Sequence, residues 1–298
     1  MNKQQLRVLA AIIVGIVTLL LLTGFRLDVG FAVTNETGPE GLGAWTRIDV
    51  PGLANDTRVY TLRRSGSLVL AGTQGQGLFR STDSGQSWQQ VPQNNTVYVR
   101  DLWVDENGQI ALAATFGSGL FRSINGGATW AAAGANIGTH SLYSLAQGGS
   151  ALFLGTANNG VWRSNDNGVT WTRTQSFDSP GAVSLAAASA QVIYAGSVSN
   201  GLFKSNDGGT TWQQIGFAGK IVRALAIDPR DNQEVWASVL GEGVQRSANG
   251  GQSWQPASAG LNGANVLSLL ITNASGDWEV MAGTQGSGVL RWTGSAWT

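Results

Sequence analysis

The chain has 298 residues, as many acidic as basic side chains, 42 glycines and no cysteine. The missing cysteines exclude disulfides, thiolate metal sites and thiol catalysis, and the balanced charge excludes the basic footprint of a nucleic-acid binder. Charged residues make up only 12% of the chain, which together with the abundant glycine suits many short strands joined by tight turns.

The first element is an uncharged apolar run, Val8 to Phe25, preceded by Lys3 and Arg7 and by no acid. As a helix it spans about 27 Å, close to the roughly 30 Å hydrocarbon core of a bilayer. The positive-inside bias puts its N-terminus in the cytoplasm and the remainder outside. Residues 1–25 are therefore expected to be a cytoplasmic stub and one transmembrane helix in the cell membrane, with 26–43 a linker. A cleaved signal peptide is the rival reading. Its apolar region is normally shorter and ends in a small-x-small site, whereas "RLDVGFAVTNE" follows here without one. A buried core helix is the third.

From residue 44 to 298 the sequence repeats. "GLFRSTDSGQSW", "GLFRSINGGATW", "GVWRSNDNGVTW", "GLFKSNDGGTTW" and "GVQRSANGGQSW" end at Trp88, Trp130, Trp171, Trp212 and Trp254, and a worn copy ends at Trp297. The spacings of 41–43 residues indicate a propeller or solenoid. Each unit holds four strand-like runs, in the first unit "RVYTLRR", "SLVLAGT", "GLFRS" and "SWQQV". Four antiparallel strands per forty-odd residues is a propeller blade. Trp45 lies six periods of 42 before Trp297. The expectation is an all-β, six-bladed β-propeller with four-stranded blades, in which residues 45–50 supply the outer strand of the last blade and so hide an exposed edge.

The repeated phrase S-x-[DN]-x-G-x-[ST]-W joins the third strand of a unit to the fourth. An Asx oxygen accepts backbone N–H groups in such a turn, glycine supplies positive φ, and the tryptophan buries its ring. The Asx position holds Asp83, Asn125, Asp166, Asp207 and Asn249. Asn cannot act as a general acid or a charged ligand, so the interchange within one chain assigns these residues to architecture; calcium in the turns is the minor alternative. These turns resemble those of the Asp-box (bacterial neuraminidase repeat) families over residues 45–298. The resemblance implies a propeller. It does not fix function, because similar propellers serve as sialidases, xyloglucanases, sortilin-like receptor ectodomains and the photosystem II stability/assembly factor, the last with seven blades.

Sialidases of this kind need an arginine triad, a tyrosine nucleophile with its glutamate, an aspartate acid and an F-R-I-P signature. "TRIDVP" keeps only Arg47 and Ile48 of that signature, and units of nearly uniform length leave no insertion to build a pocket. Ordinary glycosidases need two convergent carboxylates. The acids expected on the binding face, Asp56, Asp178 and Glu242, fall in three different units, and the lone His140 precedes a first strand. No catalytic residue, metal site or cofactor is assigned.

Aligning the first strands as "VYTL", "VRDL", "LYSL", "AVSL", "VRAL" and "VLSL" puts Tyr60, Arg100, Tyr143, Val183, Arg223 and Leu267 in one column. Tyr60, Arg100, Tyr143 and Arg223 are the candidate partner-binding residues, being of the types enriched in interface hot spots; packing within the channel is the plain alternative. Arg80, Arg122, Arg163, Lys204, Arg246 and Arg291 form a second column on the third strands, expected to be structural. The expected function is a membrane-anchored extracytoplasmic scaffold, subunit or assembly factor that binds protein, probing for which would start with membrane-complex subunits. A cell-surface glycan-binding protein or sialidase-like hydrolase is the alternative.

Overall fold

The computed structural model describes Leu27–Asp28 and residues 48–298, apart from 49, 55–56, 93–96, 176, 178 and 274–276. It is an all-β propeller of six blades. The inner strands are Arg58–Ser65, Val99–Val104, Leu142–Gly148, Ala182–Ala187, Val222–Ile227 and Val266–Thr272. In each blade the strands lie in chain order from the channel outward, and all pairings are antiparallel. In the sixth blade the fourth position is taken by Trp297 and Thr298: Trp297 bridges Trp292, and Thr298 and Arg291 exchange backbone hydrogen bonds of 2.8 and 2.9 Å.

The closing strand expected at 45–50 lies largely outside the described residues. Of it, Ile48 and Val50 pack on the cluster of Val59, Leu62, Phe79 and Trp88 in the first blade. The expected transmembrane run at Val8–Phe25 also lies outside the described residues, among which no helix is long and apolar enough to cross a membrane. Within the segment expected to be linker, Leu27–Asp28 pairs with the inner edge of the first blade, opposite Val59 and Arg58.

Five apolar clusters each join two successive blades. Between the second and third, for example, Trp103, Leu112 and Leu120 meet Leu142, Leu152, Trp162 and Trp171. Strand alternation makes this arrangement work, since successive side chains point to opposite faces of a blade and both faces are apolar. The second strands come so close to the neighbouring blade that a side chain is excluded in places. A Cβ on Gly196 would collide with the Val222 carbonyl and the Ser184 hydroxyl.

The sixth joint differs. Among the described residues, the cluster on the other side of the first blade is completed by Ile48, Val50 and Leu53 and by no residue of the sixth blade. Each inner strand packs on the next from the first blade to the sixth, and among the described residues that packing is not repeated between the sixth and the first. Val289 is correspondingly half-buried, while its counterparts Leu78, Leu120, Val161, Leu202 and Val244 are buried.

The repeated turns explain the phrase in the sequence. In the second unit the Gly127 N–H donates to Ser123 Oγ (2.9 Å), the Ser123 hydroxyl donates to Asn125 Oδ1 (2.9 Å), and the Thr129 N–H donates to the same oxygen (2.9 Å). Two consecutive residues take left-handed backbone, Gly126 at φ 65° and Gly127 at φ 77°, as a tight turn between twisted strands requires. The Asp-for-Asn interchange rests on one hydroxyl. Asn125 donates from Nδ2 to Thr129 Oγ1 (2.8 Å), whereas Asp166 accepts from the Thr170 hydroxyl at Oδ2 (2.5 Å). A hydroxyl both donates and accepts, so either residue completes the turn.

The cations of the third strands are interblade ties. Arg80 Nε donates to Gly126 O (2.6 Å), Arg122 Nε to Asn167 O (3.0 Å), Arg163 Nη1 to Gly208 O (3.1 Å) and Lys204 Nζ to Gly250 O (2.9 Å). Each reaches the left-handed residue of the next blade's turn. In the last two blades the tie is replaced by an ion pair within the blade, Arg246 with Glu234 (2.7 Å) and Arg291 with Glu279 (3.1 Å).

Candidate functional site at the channel mouth

Every inner strand carries an irregularity at the same place. Register shifts fall between Val59 and Thr61, Val99 and Asp101, Leu142 and Ser144, Ala182 and Ser184, Val222 and Ala224, and Val266 and Ser268. The skipped residues are Tyr60, Arg100, Tyr143, Val183, Arg223 and Leu267, the column picked out by aligning the first strands. A bulge leaves its residue out of the ladder and re-aims the side chain. All six line one cavity of about 540 Å³ in the centre of the ring.

The side chains within that ring are organised. The Arg100 guanidinium carbon lies 4.4 Å from the centre of the Tyr60 ring and 5.0 Å from that of Tyr143. The cation is thus held between aromatic rings contributed by the two flanking blades, in the range where ring quadrupoles attract it. Phe116 meets Tyr143 edge-on at 6.1 Å. Its backbone N–H donates to the Tyr98 carbonyl, and both Phe116 and Tyr98 are exposed. Arg223, on the other side of the channel, is exposed. Neither Arg100 nor Arg223 has a hydrogen-bond or ion-pair partner among the described residues.

One layer deeper the residues are small or polar: Thr61, Asp101, Ser144, Ser184, Ala224 and Ser268, all buried. Asp101 is fully engaged. Its Oδ1 accepts from Thr61 (3.0 Å), Arg63 Nη2 (2.8 Å) and its neighbour's N–H at Leu102 (2.8 Å), and its Oδ2 accepts from the Leu145 N–H (2.8 Å). It ties three blades together and is neutralised by Arg63. The Ser144 and Ser268 hydroxyls are buried and have no partner, an expensive state for a polar group shielded from water. The alignment of the first strands holds this layer as its third column, T-D-S-S-A-S, which sequence reading left unused.

Of the acids expected on this face, Glu242 alone is among the described residues. Glu242 pairs with Lys220 at the rim (3.2 Å), and Asp56 and Asp178 lie outside the described residues. Asp101 is the one carboxylate lining the cavity among the described residues. His140 is exposed, its Nε2 3.3 Å from Asn159 Nδ2. No group of three or more His, Asp or Glu side chains arranged to hold a metal occurs among the described residues.

The turn acids are perturbed for a local reason. The Ser87 hydroxyl and N–H, with the Ser81 hydroxyl, hold Asp83 down at about 2. Thr211 and Ser205 do the same for Asp207. At Asp166 burial pushes upward, but the bonds from Thr170, Ser164 and Val169 bring it to about 2. These are carboxylates fixed as hydrogen-bond acceptors, far from the protonation state a general acid needs.

No protein-family model matches the sequence, and no curated protein matches it. Solved propellers do. The chain is similar to YCF48 bound to a D1 peptide, with 17% identity and a TM-score of 0.64, covering 85% of this chain and 83% of that one. It is similar to an ancestral GH74 enzyme at 21% identity and a TM-score of 0.62, covering 78% of this chain and 36% of the enzyme. The extracellular domain of a putative hybrid two-component system from B. thetaiotaomicron matches at 19% identity and a TM-score of 0.64, over 78% of this chain and 31% of that one. At these identities the likeness is one of fold.

Proposed function

We propose that this protein is a propeller held outside the cytoplasmic membrane by its N-terminal apolar run, and that it binds another protein through the channel mouth. In this reading it serves as a subunit or assembly factor of a membrane complex and has no chemistry of its own. The observation that carries the reading is the ring of bulged residues. Six bulges at one position aim side chains of differing chemistry into one cavity, and the aromatic and arginine members are those that anchor interfaces. The neighbour solved with a bound D1 peptide supports a protein partner. Among the described residues no second carboxylate lines the cavity beside Asp101, and the full engagement of Asp101 itself argues against glycoside hydrolysis. GH74 neighbours and the exposed Phe116 and Tyr98 favour glycan binding as the second reading.

The test is purification of the tagged full-length protein from its native membrane in mild detergent, with mass spectrometry of what accompanies it. Stoichiometric integral membrane proteins, lost from a Tyr143→Ala variant that still folds, are the expected result. Recovery of the protein alone, with binding of a β-glucan oligosaccharide to the same ring, would replace this reading with the glycan one.

A further inference from the structure

We infer that the channel mouth is a receptor for a carboxylate carried on an extended peptide segment, with Arg100 and Arg223 as its cationic walls. This rests on the proposed protein-binding role and specifies the chemistry that the site selects. The argument begins with charge. The cavity is lined by Arg63, Arg100, Arg223 and Asp101. Arg63 and Asp101 neutralise each other at 2.8 Å, which leaves the two guanidinium groups of Arg100 and Arg223, neither of which makes an ion pair among the described residues.

The second element is preorganisation. Contacts with Tyr60 and Tyr143 hold the Arg100 guanidinium carbon 4.4 and 5.0 Å from the two ring centres. A guanidinium carries five N–H donors, and as Arg100 donates to no group among the described residues, they remain for a ligand. A planar fork with fixed position matches a carboxylate through two parallel hydrogen bonds, and the ordering cost has been met before the ligand arrives. Finally, a cavity of about 540 Å³ is much larger than a carboxylate, so the group enters with the residues that bear it. The edge-on Phe116–Tyr143 pair at the rim offers an apolar surface for the side chain next to the charge.

Two sources carry this chemistry, a free peptide C-terminus and an Asp or Glu side chain. The probes are three N-acetylated phenylalanyl-alanine peptides: one with a free C-terminus, one amidated, and one amidated after an added glutamate. They are titrated calorimetrically into the full-length protein in detergent. Saturable binding is expected for a peptide that carries a carboxylate and not for the neutral amide, and the two acidic peptides report which source is preferred. Arg100→Gln and Arg223→Gln should abolish it. Arg100→Lys, which keeps the charge and loses the planar fork, should weaken it roughly tenfold.

Equal affinity for the amide, no binding of any of the peptides, or full binding by folded Arg100→Gln would overturn the inference. The protein-binding role fails separately: it is lost if the acidic peptides bind but no protein accompanies the purified chain. It survives without this inference if the partner still accompanies Arg100→Gln.

Discussion

On one face of the ring the turns repeat the same bonds almost without variation. The glycine N–H reaches the serine hydroxyl at 2.8 or 2.9 Å in all five well-formed units. On the other face, one structural position holds two tyrosines, two arginines, a valine and a leucine. Both faces come from the same repeat, so the difference lies in what constrains each. At the turns, the serine hydroxyl and the Asx side chain find their partners inside the unit in all five copies, and a change there is penalised in every copy. At the channel mouth the bulge frees the side chain from the ladder, and nothing in the fold dictates what it must be. Repetition there marks where a side chain is presented, and variation marks what is presented.

Substitutions should separate the two faces sharply. The largest effect is expected for Trp171→Ala on the turn side, because the ring is buried in the joint between the second and third blades. Denaturant unfolding should show a loss of about 3–5 kcal/mol. Gly196→Val should come next, with a cost of about 1–3 kcal/mol or failure to fold, since the new atoms meet the backbone of the neighbouring blade. A loss near that of an ordinary surface change at either position would mean that the joints are not the source of stability. Arg163→Ala removes one interblade tie, and thermal melting should show a smaller destabilisation than either. On the opposite face Arg100→Gln should change stability by no more than about 0.5 kcal/mol while removing carboxylate binding; a large loss of stability there would erase the distinction between the faces.

The smallest effect is expected from Asp166→Asn, which should leave the melting temperature at neutral pH unchanged, as Asn125 and Asn249 already do the same work. Acid should reveal the difference. Asp83, Asp166 and Asp207 sit at about 2, below the usual 3.8. A depressed folded pKa gives stabilisation that is complete above the unfolded value and lost as pH falls through the folded one. Melting temperature should therefore drop between roughly pH 4 and pH 2, and D83N/D166N/D207N should flatten that limb. An unchanged acid limb would show that the turn carboxylates are no better bonded folded than unfolded.

The blades were legible in the sequence because tryptophan spacing and turn chemistry are local signals. The ring column was legible because aligned first strands put Tyr60, Arg100, Tyr143 and Arg223 in register. That each sits on a bulge was not, since a bulge is a relation between two strands and leaves no residue preference of its own here. Asp101 was passed over because its partners, Thr61, Arg63 and Leu145, lie about one repeat away on either side. The ties from Arg80, Arg122, Arg163 and Lys204 showed only as a repeated cation; their acceptors are backbone carbonyls, to which sequence is blind. Trp45 in phase with the repeat suggested how the ring closes, but the pairing of Thr298 with Arg291 depends on the fold at the end of the chain.

The odd joint between the sixth blade and the first has a mechanical meaning. A ring of equal joints resists deformation everywhere, and its bore is fixed. Among the described residues this ring has five joints in which the side chains of two blades interlock and one in which the first blade is faced by Ile48, Val50 and Leu53. Strain applied anywhere on the circumference collects at the softest place. Opening of the ring is therefore expected to begin beside Ile48, Val50 and Leu53, and amide hydrogen exchange of Arg58–Ser65 compared with Val222–Ile227 checks it.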